Sequence, residues 1–556
     1  MRLFFVLGLV ILTGMVHVRA QSAYIPYNRD YYHLIDRYEI LNGSFSGTFH
    51  TGTKPYRRDQ LADFLKNFEE NLFMESRSDL FNLRYLRQDS WEFHEEEAPV
   101  AKKSLGKNFY KTPSDFFYYR DSVFDVHVNP VIYFQGGVET GRDWRFRNTR
   151  GVEVRGSIDR KVGFYTFLTS TDLVYPGWVR EYAVYNGAVP GEGFWKRYGN
   201  EGYSYFSAMA YVDFQATRHI HVQMGQDRNF IGEGYRSLIL SDFSNPYMFL
   251  KVNTKVWKLD FTNLWAQMNA DIIYERGFPT DGRYPQKWFS LHRLGMNLGK
   301  RLNIGLFESV MANRLDWNYL NPLIFYRWVE HQLGTPDKVM MGADLKWNLA
   351  RNMQVYGQFV LDEFVFDEFF RITGRGSRRN KHGVQLGYKY INVAGINNLD
   401  WQLEYNQVRP FTYQEKFEYQ SFSNYRTPLT HPLGANFREA VTIIRYQPIP
   451  RLSFQGTFMY QYFGTDPSQE DNYGGDVLKN RLDNSTALFG NYIGQGDKNH
   501  VAMGSVRSSY MLKHNLFLEF SQAIRALKRP AEDGMETTGF GQVSLRLNMA
   551  RFDHHF

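Results

Sequence analysis

The 556-residue chain is long enough for several ordinary domains or for one large barrel. Its 65 basic and 58 acidic residues leave a formal charge of only +7, and no long basic run or nucleic-acid module is present, so we expect no nucleic-acid partner. The absence of cysteine excludes disulfides, thiolate metal ligands, cysteine nucleophiles and a cysteine-linked lipid anchor. Tyr, Phe and Trp make up 17% of the chain although the mean hydropathy is −0.48, which argues against an all-core use of those rings.

Residues 1–20, MRLFFVLGLVILTGMVHVRA, have the composition of a secretory signal peptide. Arg2 gives a positive start, an apolar segment follows, and Ala20 is the small residue before cleavage. The apolar run is too short for a transmembrane anchor, and no later stretch has 18 consecutive apolar residues. We therefore expect a mature protein that begins near Gln21 and works outside the cytoplasm.

Residues 21–118 are predicted to form an N-terminal helical region in the periplasm. In 56–73 the apolar side chains recur every three or four residues, as on one face of a helix: Leu61, Phe64, Leu65, Phe68 and Leu72. Two shorter helices are predicted at 31–40 and 78–88. A unit of roughly 60 residues is marginally stable alone, so we expect it to dock on a larger structure.

From about residue 124 the hydrophobic period changes to two, and residues 119–556 are predicted to form a β-barrel. Segments at 124–134, 152–158, 399–406 and 452–460 alternate apolar and polar side chains. The last segment sets one apolar row against one polar row: Val543, Leu545, Leu547 and Met549 against Gln542, Ser544, Arg546 and Asn548. Strands of about ten alternating residues are typical of outer-membrane barrels, whose apolar row faces lipid.

The connections between these segments alternate between short and long. Short joints are predicted at 159–160, 217–219, 253–255, 299–301, 350–352, 393–397, 448–450 and 512–514, and long loops at 138–145, 174–203, 227–246, 270–288, 313–338, 363–380, 408–436, 464–500 and 527–537. Eight joints and nine loops imply eighteen strands. The sequence therefore predicts an all-β fold, an 18-stranded antiparallel transmembrane barrel in the outer membrane of a Gram-negative bacterium, with both chain ends on the periplasmic side. A large soluble double-sheet protein is the alternative.

Four candidate ligand-binding residues lie in two of the long loops. The segment 225–247, GQDRNFIGEGYRSLILSDFSNPY, leaves a strand and turns at two glycines. It is either a loop that folds into the barrel mouth and offers Arg228 and Arg236 to an anionic ligand, or a purely structural loop. The loop at 174–203 is rich in rings, Trp178 and Trp195 among them, whose flat faces suit sugars. The alternative is that the loops pack on one another and plug the barrel, and both roles are compatible.

No motif predicts catalysis, a cofactor or a metal site. The carboxylates of DEFVFDEF, residues 362–369, lack the ligand spacing of a calcium loop and fit a solvated loop rim. The glycine-rich GRGSRRN at 374–380 does not follow a strand and open a helix, so we do not interpret it as a phosphate cradle. The adjacent His554 and His555 have no third ligand in the pattern.

Several segments resemble the Wzi-type capsule-assembly outer-membrane proteins. They are YYHLIDRYEI, KPYRRDQLADFL, GEGYRSLILSDFSNPY, NPLIFYRWVE and GADLKWNLARNMQVYGQFVLDEF. The head and loops are similar in style to a Bacteroidota branch whose members are labelled with capsule assembly or gliding motility. The resemblance implies an eighteen-stranded barrel with a periplasmic helical head and a lectin-like role on acidic capsular polysaccharide.

We therefore expect a non-enzymatic outer-membrane barrel that binds or organises surface polysaccharide. The candidate ligand residues are Arg228, Arg236, Trp178, Trp195 and Arg327. A structural subunit of a secretion or gliding-motility machine and a diffusion channel are the alternatives. The expected partners are outer-membrane lipid and surface polysaccharide, with other outer-membrane or periplasmic proteins as further candidates. A closed lumen with an outward basic and aromatic patch would favour polysaccharide binding. An exposed apolar patch would favour a protein partner. An open polar pore would favour transport.

Overall fold

A computed structural model describes most of the chain. The described residues are 23–47, 49–69, 76–94, 99–101, 108–270, 285–335, 337–370, 375–417, 420–530 and 534–556. The predicted signal segment at 1–20 and Leu72 of the predicted helical face lie outside them. No helix in these ranges is long and apolar enough to cross a membrane.

Eighteen long strands form one closed antiparallel barrel. They are β1 Phe124–Glu139, β2 Trp144–Ile158, β3 Val162–Val174, β4 Gly202–Gln215, β5 Ile220–Asp227, β6 Tyr247–Val256, β7 Leu259–Asn269, β8 Gln286–Leu298, β9 Leu302–Ala312, β10 Lys338–Ala350, β11 Met353–Glu363, β12 Lys381–Tyr390, β13 Leu399–Val408, β14 Phe437–Ile449, β15 Leu452–Thr465, β16 Asp497–Lys513, β17 Leu516–Lys528 and β18 Glu536–Leu547. Each strand pairs with the next along the chain, and β18 pairs with β1 through Val543↔Gly136 and Leu545↔Phe134. Closure gives the backbone amides of every strand a partner, as a membrane requires. The predicted strand number and topology are confirmed.

The exterior of the barrel is largely apolar. Val543 is 52% exposed on β18, whereas its neighbours Ser544 and Arg546 are buried. On β13 the outward Leu403 is 41% exposed and the inward Glu404 only 1%. An apolar outer wall around a closed barrel places the protein in the outer membrane, as predicted.

The alternation predicted for the end of the chain is wrong at one residue. β18 ends at Leu547, and the backbone of Asn548 adopts a positive φ of 50°. The chain therefore turns inward, and Met549, expected on the lipid face, is buried among Tyr24, Tyr133 and Tyr211.

The interior is not uniformly polar. Arg293 of β8 and Asp344 of β10 form a buried ion pair with nitrogen–oxygen distances of 2.6 and 2.7 Å. Nearer the long loops, however, inward side chains such as Phe249 and Phe289 pack with Leu238 in an apolar cluster. Segments folded into the lumen supply the other half of that cluster, so apolar residues face inward there as they would in a soluble core.

Short turns lie at one end of the barrel and long loops at the other. The turns are 159–161, 216–219, 257–258, 299–301, 351–352, 391–398, 450–451 and 514–515. We number the long loops 1 to 9, at 140–143, 175–201, 228–246, 270–285, 313–337, 364–380, 409–436, 466–496 and 529–535. In bacterial barrels the short turns are periplasmic. The predicted joint at 253–255 is wrong, because Asn253 continues β6, pairs with Thr262 and donates to its Oγ1 at 2.7 Å.

Six α-helices complete the described chain. α1 Arg29–Asn42, α2 Arg58–Glu69 and α3 Arg77–Asp89 precede the barrel, whereas α4 Gly177–Asn186, α5 Tyr326–Leu333 and α6 Phe366–Phe370 lie in loops 2, 5 and 6. Short 3-10 turns occur at Trp91–Phe93, Trp317–Leu320 and Val393–Gly395, and minor strands at Thr53–Lys54, Phe117–Arg120, Lys196–Tyr198, Phe230–Ile231, Ser423–Asn424 and Thr427–Pro428.

The three N-terminal helices form a head with its own small core. Leu61, Phe64, Leu65 and Phe68, the described part of the predicted helical face, are buried with Ile35 of α1 and Leu86 of α3. Asn28 caps α1, its side chain accepting the Asp30 N–H at 3.0 Å. The predicted division at 118/119 stays a prediction; it falls inside Phe117–Arg120, which pairs with β1.

The head docks on the short-turn end of the barrel. Arg37 of α1 donates to Asp79 of α3 at 3.1 Å and also to Asp400 at the start of β13. Glu39 of α1 accepts from Lys346 Nζ of β10 at 2.6 Å. Because these groups are almost wholly buried, their pairing fixes the head in one orientation against the barrel wall.

Candidate functional site

Loop 3 folds inward and meets the head inside the barrel. Phe230–Ile231 of loop 3 pairs with Thr53–Lys54 of the head as a short antiparallel ribbon. Thr51 Oγ1 donates to Glu233 Oε1 at 2.7 Å. The head enters from the short-turn end and loop 3 from the long-loop end, so together they fill the middle of the lumen.

Arg236 holds loop 3 to the barrel wall. Its Nη2 and Nε donate to the carboxylate of Glu439 on β14 at 3.0 and 3.2 Å, and its guanidinium also donates to the His555 carbonyl. Its backbone N–H donates to Glu404 of β13 at 3.0 Å. The Arg236 side chain is only 6% exposed, and its hydrogen bonds hold loop 3 in place. Its role as a ligand residue stays a prediction.

Residues 548–556 run from the end of β18 up through the lumen and form a tail that contacts loops 2 and 3. Trp178, in the first turn of α4, donates from Nε1 to the His554 carbonyl at 3.1 Å and packs edge-on against Phe540. Phe556 packs against Tyr182 of α4 and Phe243 of loop 3. The final aromatic residue is thus buried inside the barrel.

Arg228 joins loop 3 to loop 2, and Trp195 makes a hydrogen bond within loop 2. Arg228 Nε donates to the Ser244 carbonyl at 3.0 Å, and its guanidinium reaches the Gly191 carbonyl and Glu192 of loop 2. Trp195 Nε1 donates to the Gly187 carbonyl at 3.3 Å. Four of the five sequence-predicted residues therefore lie around the material that fills the lumen.

Arg327 lies apart from the other four. It belongs to the first turn of α5, its side chain is 61% exposed, and it pairs with Glu330 at 2.7 Å. α5 packs against the outside of the barrel, and so Arg327 cannot share one ligand contact with Trp178 or Arg236 inside it.

A cavity of about 160 Å³ lies between loop 3, the tail and the head. Four arginines and four carboxylates line it: Arg29, Arg228, Arg236 and Arg551 with Glu192, Asp227, Asp242 and Asp553. Arg29 pairs with Asp242 at 3.1 Å. The balanced charges do not favour an acidic ligand in this space.

An outward basic surface lies instead where loops 6 and 8 meet. We call it the arginine patch and define it as Arg375, Arg378, Arg379 and Arg481. Backbone hydrogen bonds join the loops: Arg378 N–H donates to the Leu488 carbonyl at 2.9 Å, and Asn491 N–H to the Gly376 carbonyl at 2.8 Å. Gly376 has φ +74°, and a Cβ there would lie 2.6 Å from the Asn491 carbonyl. The glycine thus permits the close approach that fixes the patch.

Carboxylates balance only part of this positive charge. Arg481 Nε donates to Glu415 at 2.9 Å, and Arg379 pairs with Glu368 while its side chain stays 47% exposed. Arg375 is exposed to solvent. Burial and the neighbouring Arg481 lower the pKa of the Arg378 guanidinium. Crowded guanidinium groups repel one another, so an added anion would be stabilised here.

Exposed rings border the arginine patch. Phe489 and Tyr492, which flank the loop 8 backbone that pairs with loop 6, are 41% and 52% exposed. Phe369 of α6, next to Glu368, is 49% exposed. Guanidinium groups bind carboxylates by two parallel hydrogen bonds, and flat rings offer apolar faces beside them. The arrangement suits a polymer that carries both carboxylates and sugar rings.

Sequence reasoning missed this surface. The run GRGSRRN does not predict a phosphate cradle, but its three arginines within a long loop are a sequence signal for a basic surface. The sequence does not signal that Arg481 joins these arginines, because it lies about a hundred residues further along the chain, in loop 8.

Two carboxylates of DEFVFDEF pair with lysine side chains, and the predicted solvated rim is wrong at Asp362, whose side chain is only 5% exposed. Asp362 accepts from Lys338 Nζ at 2.8 Å, and Glu363 from Lys381 Nζ at 2.8 Å. Within the described ranges no three His, Asp or Glu side chains come together as metal ligands.

No family model and no curated protein matches the chain. Among solved structures it is similar to Wzi of Escherichia coli, described as an outer membrane protein involved in group 1 capsule assembly and a carbohydrate-binding β-barrel; the TM-score is 0.57 and the identity 13%, over 95% of this chain and 100% of that one. Pseudomonas aeruginosa OprD aligns with a TM-score of 0.40 and 11% identity over 81% of this chain and 99% of its own. Pseudomonas aeruginosa OccK8 (OprE) aligns with a TM-score of 0.41 and 8% identity, over 76% of this chain and 97% of its own. The likeness to Wzi supports the fold.

Proposed function

We propose that this outer-membrane barrel binds acidic polysaccharide at the cell surface through the arginine patch, and that it does so without catalysis. The observation that carries the proposal is the position of the patch. Backbone pairing between loops 6 and 8 fixes four arginines at the long-loop end, with exposed rings beside them. The carbohydrate binding described for Wzi, whose fold is similar, is consistent with this function.

The filled lumen favours binding over transport. The head, loop 3 and the tail occupy the interior, and loop 7 covers them with Tyr413 Oη donating to the Leu238 carbonyl at 2.8 Å. A diffusion channel would need a continuous polar path through these buried contacts. The alternative role as a subunit of a secretion or gliding-motility machine stays a prediction.

A polymer compensates for the weakness of single surface contacts. An exposed ion pair contributes about 0.2–1 kcal/mol. A polysaccharide with a carboxylate in each repeat presents many such groups, so several arginines engage one chain at once and the effective concentration of each further contact is high. We therefore expect modest affinity for short fragments, greater affinity for long chains, and weakening by salt.

Binding of polygalacturonate by the purified barrel in detergent tests the proposal, with uncharged dextran as the comparison polymer. The test variant is the double substitution Arg375→Gln and Arg379→Gln. The matched control is Arg160→Gln with Arg218→Gln, two exposed arginines in the turns at the opposite end of the barrel.

We expect the patch variant to bind about tenfold more weakly, since two surface ion pairs of about 0.7 kcal/mol each amount to 1.4 kcal/mol. The control variant should bind as the unmodified protein does. Equal affinity of the patch and control variants, or no binding by the unmodified barrel, would overturn the proposal and favour the subunit role.

A further inference from the structure

Loop 5 does not cover the lumen but folds down over the outer wall. On β9, Phe307 and Met311 point into the luminal cluster, so the alternating Glu308, Val310 and Ala312 point outward. Val310 and Ala312 are nevertheless only 1% and 3% exposed. They are covered by side chains of loop 5: Tyr319, Tyr326 and Val329.

An outward carboxylate anchors this arrangement. Glu308 accepts the backbone N–H of Tyr326 at 2.7 Å and of Arg327 at 2.8 Å, the first two residues of α5. His292 of β8 lies 3.4 Å from the same carboxylate, and Tyr326 stacks on the His292 ring at 4.3 Å. A bare carboxylate on a lipid-facing wall is costly, and the start of α5 satisfies and covers it.

The opposite side of loop 5 is apolar and exposed. Its large side chains are exposed by 55–80%: Trp317, Leu323, Phe325 and Trp328. These residues would be unfavourable in water as one contiguous patch. They lie over the outer wall of the barrel, because other side chains of the same loop pack on the outward residues Val310 and Ala312.

This face continues the lipid-facing surface of the barrel. Leu306, two residues before Glu308 in the same outward row, is 59% exposed. Leu294 on β8 and Met341 on β10, beside that row, are 40% and 38% exposed. The outward row of β9 thus changes from lipid-facing to covered between Leu306 and Glu308, and loop 5 takes over the apolar surface from there.

We propose that loop 5 is an interfacial anchor whose exposed face inserts among the acyl chains of the outer leaflet. Trp317 and Trp328 occupy the interface between hydrocarbon and headgroups, where tryptophan is enriched in membrane proteins. Arg327 projects toward headgroup phosphates, with its apolar stem along the hydrocarbon. The partner is therefore lipid, argued from continuity with the wall below.

The sequence contains no cysteine, so one introduced cysteine is the single site for a thiol-reactive label. Single-cysteine variants Phe325→Cys and Trp328→Cys are labelled with a nitroxide and reconstituted in vesicles of phosphatidylcholine and phosphatidylglycerol. Collision with oxygen reports hydrocarbon, and collision with a water-soluble nickel chelate reports water. Leu306→Cys is the lipid-facing control, and Phe194→Cys, 55% exposed in loop 2, is the aqueous control.

The proposal predicts an oxygen-to-nickel accessibility ratio at both loop 5 positions close to that of Leu306→Cys and well above that of Phe194→Cys. A ratio like that of Phe194→Cys would overturn it, because loop 5 would then lie in water. Protection from both reagents together with dipolar broadening between labels would also overturn it, since a second copy of the chain would then cover this face.

Discussion

Arg236 and Glu439 are 203 residues apart in the chain and meet inside the barrel through two parallel hydrogen bonds of 3.0 and 3.2 Å. His431 Nε2 lies 2.7 Å from the same carboxylate. Neither side chain of the ion pair is more than 6% exposed. This pair is one of the contacts that join the inward loop 3 to the barrel wall.

We expect Arg236→Met to destabilise the closed lumen by about 3–5 kcal/mol, because it leaves the Glu439 carboxylate buried without its cation. Hydrogen–deuterium exchange should accelerate in loop 3, and the thermal midpoint of the barrel should fall. The matched control is the double variant Arg236→Met with Glu439→Gln, which removes both charges and should recover much of the loss. Equal protection of loop 3 in all three proteins would contradict this prediction.

We expect Trp178 to stabilise the docked tail mainly through the packing of its ring in the lumen. Trp178→Phe keeps an aromatic ring but loses the hydrogen bond to the His554 carbonyl, worth about 1 kcal/mol, and part of the ring volume. Trp178→Ala also loses the ring contact with Phe540 and leaves a cavity, which costs about 3–5 kcal/mol. Thermal unfolding followed by tryptophan fluorescence measures both changes. Two variants of equal stability would show that the tail does not depend on this ring.

The tail should dock less firmly in acid. Burial lowers the pKa of His555 to about 4 and of His554 to about 3, against about 6.5 in an undocked tail. Between these values the undocked tail binds protons that the docked tail excludes. Docking is therefore fully favourable above pH 6.5 and weakens as the pH falls toward 4.

Between pH 6.5 and 5 this effect amounts to about 2 kcal/mol for each histidine. We expect the thermal midpoint to fall over that interval in the unmodified protein and to fall less in His555→Gln, which cannot take up the proton. The charged neighbours of His555 are Asp553, Arg236, Arg551 and Arg29. A pH profile unchanged by the substitution would assign the acid sensitivity to other groups.

The barrel could be predicted because its rules are local. Alternation with period two and the change from short to long connections are written in the sequence, and both survive in the structure. The prediction failed where polar residues imitate a turn: Asn253 continues its strand by bonding Thr262, and the turn follows at 257–258, where Trp257 adopts a positive φ of 56°. It also failed at Met549, because nothing local signals that the chain re-enters the lumen.

The candidate site could be predicted only in its parts. The arginines of loop 6 are visible in the sequence, but their pairing with the loop 8 backbone depends on contacts between residues over a hundred positions apart. The same applies to Arg236. The sequence pattern predicts a charged side chain in a loop at the barrel mouth. Only the fold shows that this side chain pairs with the buried carboxylate of Glu439.

Glu308 provides the last prediction, which concerns the start of α5 on the outer wall. The Glu308 carboxylate accepts two backbone N–H groups that would otherwise lack partners at the start of the helix. Glu308→Gln keeps the shape and one acceptor but removes the negative charge that favours a helix N-terminus, a loss of about 1 kcal/mol. Amide exchange at Tyr326 and Arg327 should then accelerate about fivefold.

Glu308→Leu should accelerate exchange at these two amides further, since it leaves both donors without an acceptor. The amides of Val179 and Arg180, in the first turn of α4 in loop 2, are the internal control because both donate to the backbone carbonyl of Pro176, at 3.1 and 3.0 Å, and not to a side chain. Their exchange should not change in either variant. If Tyr326 exchanged at the same rate in all three proteins, loop 5 would be held on the barrel wall by its buried rings alone, and the outward carboxylate would have no part in placing it there.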